Sequence, residues 1–360
     1  MSLPHQLDLL IIGQGLAGTL LAAALMARGL RVLVVDDGHR SSSTRMAAGL
    51  LNPVTGLRLT RLRQAERFIP EALHTYAQLE RAWGTSFYHP TPLLRIFRSE
   101  RQRADWHKRL RSPDYLAYLQ APLAVESLPA GLHAPHGAGL QLQTGYLDTV
   151  TFLDAGRHWL CAQDALCEGA FDWSELELAD GTARWREWTA RQVIGCEGYR
   201  GADNPWFGWL PFRPCKGQIL TLETRDPLPH WILNRGTWLL PLGAGRARIG
   251  ATYEREAIDS GPSVAAREAL LQEAQALFPG RVHWALAGEA VGVRPGTRDR
   301  MPLVGLHPQH PQLGMCNGFG SKGVLMAPYY TRCLAAALAE GTALPPEVRL
   351  QRWWNPHGPS

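Results

Sequence analysis

Leu7-Asp8-Leu9-Leu10-Ile11-Ile12-Gly13-Gln14-Gly15-Leu16-Ala17-Gly18 leads into helix formers as far as Arg28, then Gly29, then Arg31-Val32-Leu33-Val34-Val35-Asp36. Leu7 to Ile12 is a short apolar run, the pattern of a strand buried on both faces in a parallel sheet. Gly13, Gly15 and Gly18 stand at the spacing of a dinucleotide fingerprint. Gly13 permits a tight turn out of the strand, Gly15 lets backbone approach a pyrophosphate, and Gly18 lets the helix pack closely on the sheet. The free amides around Leu16 and Ala17, at the positive end of the helix dipole, favour a phosphate. Gly29 stops the helix. The second strand ends in Asp36, about 20 residues further on, where a carboxylate is expected to take both ribose hydroxyls and to repel a 2′-phosphate. Asp37 stands beside it at the same strand end. The stretch predicts a Rossmann-type βαβ unit that binds a dinucleotide.

The 360 residues are 45% hydrophobic and 19% charged, enough for a large core and two domains. The formal charge is +5 and no run of five like charges occurs. That balance implies a solvated surface with some attraction for anionic ligands, and it leaves nucleic acid as the less favoured partner. Six cysteines without a Cys-x-x-Cys pair fit a reduced, cytoplasmic chain. No metal is expected: His307 and His310, in a Pro-rich stretch without Cys or acidic companions, read as a surface turn. Leu9 to Met26 is apolar, but Gly13, Gln14, Gly15 and Gly18 interrupt it, and Met1 to Asp8 lacks a basic region. No membrane span is expected.

Further along, helices are expected over residues 64–84, 149–162, 264–278 and from Gly320–Gly323 to about Glu340. Strands are expected near 93–97, 190–195, 217–223, 238–242 and 246–252. The chain begins α/β, turns largely antiparallel and returns to α/β. The fold class expected is therefore α/β, or α+β overall. A Rossmann-type domain from residues 1–80, 145–212 and 290–345 would join a mainly antiparallel β domain from 81–144 and 213–289. Residues 346–360 read as a surface tail.

Four further segments carry a resemblance. They are Thr44-Arg45-Met46-Ala47-Ala48-Gly49-Leu50-Leu51-Asn52-Pro53; Val193-Ile194-Gly195-Cys196-Glu197-Gly198; Gly292-Val293-Arg294-Pro295-Gly296-Thr297-Arg298-Asp299; and Asn317-Gly318-Phe319-Gly320-Ser321-Lys322-Gly323-Val324. In this order they resemble the D-amino-acid-oxidase-like FAD-dependent oxidoreductases, the group of glycine oxidase and sarcosine oxidase. Lesser matches are Gly145 to Asp148, Lys216-Gly217-Gln218 and Gly250 to Glu254.

The resemblance implies FAD, held without a covalent bond. It places Thr44 to Leu50 along the pyrophosphate and flavin, and Gly195 and Gly198 beside the ADP half, with Phe171 flanking the adenine. Cys196 and Glu197 depart from the family's usual Ala-x-Gly there. Asn317, Gly318, Gly320, Ser321, Lys322, Gly323 and Val324 form the turn and helix start facing the flavin. Arg294 is implied to bind a substrate carboxylate, since a guanidinium fork matches one in bidentate fashion. Lys322 and Tyr253 are candidates to line the substrate pocket, and Arg58 and Arg61 lie near arginines that sarcosine oxidase relatives use.

The activity implied is oxidation of the C–N bond of a small or N-substituted amino acid. Hydride passes to flavin N5, the imine hydrolyses, and oxygen or another acceptor takes the electrons. Two other readings stand beside it. One is a tRNA flavoenzyme acting on carboxymethylaminomethyl groups of wobble uridine; the other is an electron-transfer flavoprotein without amine oxidation.

Overall fold

The computed structural model describes residues 5–39, 42–179 and 181–355. The opening stretch forms strand β1 (His5–Ile12), helix α1 (Leu16–Met26) and strand β2 (Val32–Asp36). All five residues of β2 are buried, as an apolar strand inside a parallel sheet requires. β1 pairs in parallel with β2 on one side and with Trp188–Gly195 on the other. Leu166–Glu168 extends this sheet beyond β2, and Leu313–Asn317 pairs in parallel with the far end of Trp188–Gly195. The helix Gly323–Glu340 packs on α1, so Leu21, Leu25, Ala327 and Leu334 share one core.

A second sheet has eight strands, ordered Ala285–Arg294, Cys215–Glu223, Arg246–Gly250, Trp238–Gly243, Ile232–Asn234, Leu93–Ile96, Ala138–Gln141, Leu119–Pro122. Every pairing is antiparallel except that of Ile232–Asn234 with Leu93–Ile96. Its strands alternate. Leu94, Ile96, Leu220 and Leu233 turn to the helix Val264–Leu277, which answers with Leu270, Ala274 and Leu277. Leu93, Ile232 and Leu240 turn the other way, onto Ala48, Leu50 and Tyr146. Each such leucine is worth about 1.5–3 kcal/mol of apolar burial, and the alternation fixes which face meets the first sheet. The chain thus shows the expected α/β class with a mainly antiparallel second sheet.

A three-stranded sheet of Leu50–Leu51, Gly145–Leu147 and Tyr88–Pro90 lies between these two. Its strands are two or three residues long, too short for a period of two to register in the sequence.

Two expectations are corrected. The C-terminal segment up to Asn355 is docked rather than a surface extension: Val348 and Leu350 are buried, and Val304 N–H donates to Val348 O at 2.9 Å. Its proline and polar content masked that apolar pair; residues 356–360 lie outside the described residues. His307 is buried, not on a surface turn. Phe207, Trp209 and Trp354 close over its ring, and its Nδ1 accepts from the amides of Gln309 and His310. Burial, followed by the neighbouring His310, pushes its pKa down. No helix among the described residues is long and apolar enough to cross a membrane.

Candidate active site

A cleft runs along the C-terminal ends of β1 and β2. That is where open α/β sheets take ligands. The three fingerprint glycines answer to different demands. An added Cβ at Gly18 would collide with Gly13 O, and one at Gly13 would meet Cys196 O at 2.8 Å. At Gly15 the nearest atom would be Thr44 Oγ1 at 3.6 Å. Gly13 and Gly18 are thus demanded by the fold itself. Gly15 leaves an opening that the protein does not fill, and it lines the cleft. No side chain caps α1 and no acidic residue stands in its first turn; Leu16 N–H donates to Thr44 Oγ1 at 3.2 Å.

Asp36 is buried at the end of β2. Its Oδ1 accepts from the amides of Gly38 and His39 and from Arg157 Nη1 at 3.0 Å, and its Oδ2 accepts from Gln14 N–H at 2.9 Å. A carboxylate offers about four acceptor positions. Oδ1 meets three donors and Oδ2 one. Oδ2, with a single donor, is the oxygen of Asp36 more open to a further hydrogen bond. Arg157 continues to Glu168, so the two acids are bridged by one guanidinium.

Of the residues singled out in the sequence, Gly13, Gly15, Leu16, Ala17, Asp36, Asp37, Thr44, Phe171, Gly198, Asn317, Gly320 and Gly323 line the cleft. Phe171 packs against Trp173 and Trp185. Asn317 ties the two sides together through Nδ2 to Gly198 O at 2.8 Å. Gly318 (φ +78°) turns the chain in a conformation that disfavours other residues.

Other expected residues lie outside the cleft lining. Arg45 pairs with Asp154 at 2.6 Å. Ala47 O accepts from Thr149 Oγ1 and from Arg248 Nη1, and Ala48 is in the core. Gly49 (φ +69°) packs so tightly on Leu147 O that no Cβ fits. Gly195 has the same kind of role, with Glu197 Oε2 at 2.9 Å from an added Cβ. Met46 lies against Gly292 of the second sheet. Leu50 is in a strand, Ser321 is exposed, and Val324 is buried with its carbonyl bonded to Tyr76 OH. Lys322 is half-buried at the start of the helix Gly323–Glu340; burial and then the charge of Arg300 push its pKa down.

Arg294 closes the strand Ala285–Arg294 at the edge of the second sheet. Its guanidinium lies across Gly217, where a Cβ would collide with it. Nη1 donates to Thr252 O at 3.2 Å, and the plane stacks 4.4 Å from the centroid of the Tyr253 ring. Tyr253 is 71% exposed. Among the described residues no carboxylate lies within 4.0 Å of Arg294; Asp299, the nearby acid in sequence, pairs with Arg352. Arg61 is committed to Glu66 at 2.7 Å and Arg58 is exposed, which leaves neither in the cleft.

Sequence reasoning missed Arg157, which stands 121 positions from its partner Asp36, and His39, whose ring bonds Gln14 O at 3.0 Å beside the cleft. It also gave no role to Glu197. That carboxylate accepts from Trp173 Nε1 at 2.7 Å and from Asn204 Nδ2 at 2.9 Å, and burial pushes its pKa up.

The sequence model of the family described as DAO, FAD dependent oxidoreductase, matches residues 8–337. The chain belongs to this family of FAD-dependent oxidoreductases. Within the DAO family it is 28% identical, over 95% of its own length, to a tRNA 5-methylaminomethyl-2-thiouridine biosynthesis bifunctional protein MnmC of Aromatoleum aromaticum. It spans 58% of that relative. It is 26% identical to a glycine oxidase of Pseudomonas aeruginosa, covering 90% of this chain and 93% of the relative. Among solved structures, an iminodiacetate oxidase from Chelativorans sp. BNC1 superposes with a TM-score of 0.79 at 22% identity, covering 96% of this chain and 98% of the other. Glycine oxidase from Geobacillus kaustophilus superposes at 0.77 with 20% identity, covering 94% and 96%. These two likenesses show the DAO fold. The residues present suit the family's cofactor: an unfilled opening at Gly15, the Asp36 carboxylate at the end of β2, and the Phe171 ring in the cleft lining.

Proposed function

We propose that this chain oxidises the C–N bond of a small or N-substituted amino acid whose carboxylate binds Arg294. The observation that carries the reading is Arg294 itself. It is a guanidinium with no carboxylate within 4.0 Å among the described residues, held by carbonyl oxygen and an aromatic face at the sheet edge. A bidentate carboxylate would complete it.

FAD would lie with its pyrophosphate at Gly15, Leu16 and Ala17, a ribose hydroxyl on Asp36, its adenine near Phe171, and its flavin toward Asn317, Gly320 and Gly323. When bound it supplies the hydride acceptor. The amides at the start of the helix Gly323–Glu340 would favour negative charge on the reduced ring. We take the cofactor to be non-covalent. Cys196, the cysteine that lines the cleft, is buried at its floor, and burial, then a hydrogen bond with Cys316, pushes its thiol well up, away from the reactive thiolate. The protein's own contribution is orientation. Arg294 fixes the carboxylate, Tyr253 backs Arg294, and Gly217 leaves the space that the guanidinium occupies.

A second reading keeps this chemistry but places the amine on RNA, as the name of the Aromatoleum relative suggests. The observation favouring it is a basic face formed by residues 56–67 and 98–116.

The test is anaerobic reduction of the FAD absorbance by glycine, sarcosine and iminodiacetate, with native protein and Arg294→Ala. Native protein should bleach with at least one of them, and the variant about 100-fold more slowly, as loss of about 2.7 kcal/mol of charged hydrogen bonding predicts. Equal rates for both proteins would remove Arg294 from the site.

A further inference from the structure

Two stretches of sequence distant from each other form one strongly basic face. Residues 56–67 carry Arg58, Arg61, Arg63 and Arg67 against one acid, Glu66. Residues 98–116, which include the helix Glu100–Leu110, carry Arg98, Arg101, Arg103, Lys108, Arg109 and Arg111 against Glu100, Asp105 and Asp114. Each stretch is net +3, so together they exceed the +5 of the whole chain and leave the remainder net −1. The sequence holds the two stretches about 30 residues apart, and the fold brings them together. Gln102 Nε2 donates to Leu57 O at 3.4 Å, Arg109 Nη2 to Arg58 O at 3.3 Å, and Arg61 N–H to Tyr115 OH at 3.3 Å.

Arg58, Arg63, Arg67, Arg98, Arg101, Arg103, Lys108 and Arg111 are exposed. Among the described residues no acidic group lies within 4.0 Å of Arg58, Arg63, Arg101, Lys108 or Arg111; Arg61 and Arg103 reach Glu66 and Glu100. The helix turns Trp106, fully buried, inward and its cations outward. The first stretch follows directly on the strand Val54–Thr55.

We propose that this face docks the phosphate backbone of an RNA. Nine of its ten cations are arginine, whose planar fork matches phosphate oxygens. A bilayer is a poorer occupant. The helix spends its apolar side on the core, and the exposed large apolar residues beside it are Leu57 and Leu116, too few for an inserted surface. The choice of RNA over DNA rests on the RNA-borne substrate of the second reading above; the charge complementarity itself does not.

The test uses holoprotein and a short fluorescein-labelled RNA stem-loop, followed by anisotropy between about 50 and 200 mM salt. The same-sequence DNA stem-loop and vesicles of equal phosphatidylcholine and phosphatidylserine are parallel arms. Arg63→Glu/Arg101→Glu/Lys108→Glu should weaken RNA binding at least tenfold. It should also flatten the slope of log affinity against log salt by about 0.7–0.9 for each phosphate that is no longer neutralised. Arg184→Glu/Arg225→Glu, exposed cations elsewhere, should change affinity less than twofold. Retained flavin absorbance shows that each variant is folded. No RNA binding at low salt, equal binding by the triple variant, or preference for DNA or vesicles would each overturn the proposal. The readout needs no turnover. RNA binding without flavin reduction by the free amino acids would remove those as substrates and leave this surface standing; flavin reduction without RNA binding would remove the surface and leave the amino-acid reading standing.

Discussion

The cleft around Asp36 and the surroundings of Arg294 are built on opposite plans. At the first, charges are matched within the protein: Arg157 bridges Asp36 and Glu168, and Gln14, Gly38 and His39 fill most of what remains of Asp36. At the second, a guanidinium meets only carbonyl oxygen and a ring. A matched site is rigid before its ligand arrives and can hold a constant cofactor. An unmatched cation keeps its strongest interaction for a partner that comes and goes. Under the proposed reading, the matched site would hold the cofactor and the unmatched cation the substrate.

The comparison breaks most severely at Arg157. Arg157→Met strands Asp36 in a buried position. We expect a loss of about 2 kcal/mol of stability without FAD, below the usual cost of a broken buried pair because Arg157 is partly exposed. FAD affinity should fall about tenfold. Urea unfolding and flavin fluorescence titration read the two effects, and unchanged values in both would mean the matching is incidental.

Arg294→Lys sharpens the other side. It keeps the charge and loses the fork. Reduction by the best amino acid should slow about tenfold, less than for Arg294→Ala, with FAD affinity unaltered. A lysine variant as fast as native protein would show that charge alone suffices.

The smallest effect concerns Glu197, whose pKa burial raises in the folded state. The native protein then keeps a proton that the unfolded chain has lost. Stability should fall as pH rises from the ordinary carboxylate range through the raised value. In Glu197→Gln that slope should disappear while the remaining pH dependence stays. Parallel urea midpoints for both proteins across the acid range would expose a Glu197 that titrates normally.

Much of the cleft around Asp36 was legible because its signals are local. Gly13, Gly15 and Gly18 declare a strand, a turn and a helix within six positions, and Asp36 follows at a fixed distance. The helix Thr149–Ala162 was legible in full, since Asp148 accepts from Thr151 N–H at its start. The resemblance placed Thr44 to Leu50 along the cofactor; Thr44 lines the cleft, while Arg45, Ala47, Ala48 and Gly49 are taken up by contacts within the protein. His307 and the docked segment around Val348 were misread for a related reason: what buries them comes from elsewhere in the chain.

The sequence by itself determined the βαβ unit, the order of parallel and antiparallel segments, and the identity of the arginine in the Gly292 to Asp299 motif. Spacing and periodicity record only what neighbours along the chain must do together. Tertiary structure alone decided that Arg157 meets Asp36, that Tyr253 backs Arg294, and that residues 56–67 and 98–116 form one positive face. Those juxtapositions depend on where buried leucines bring the two sheets and their connections to rest, and side-chain charge acts through space rather than along the backbone.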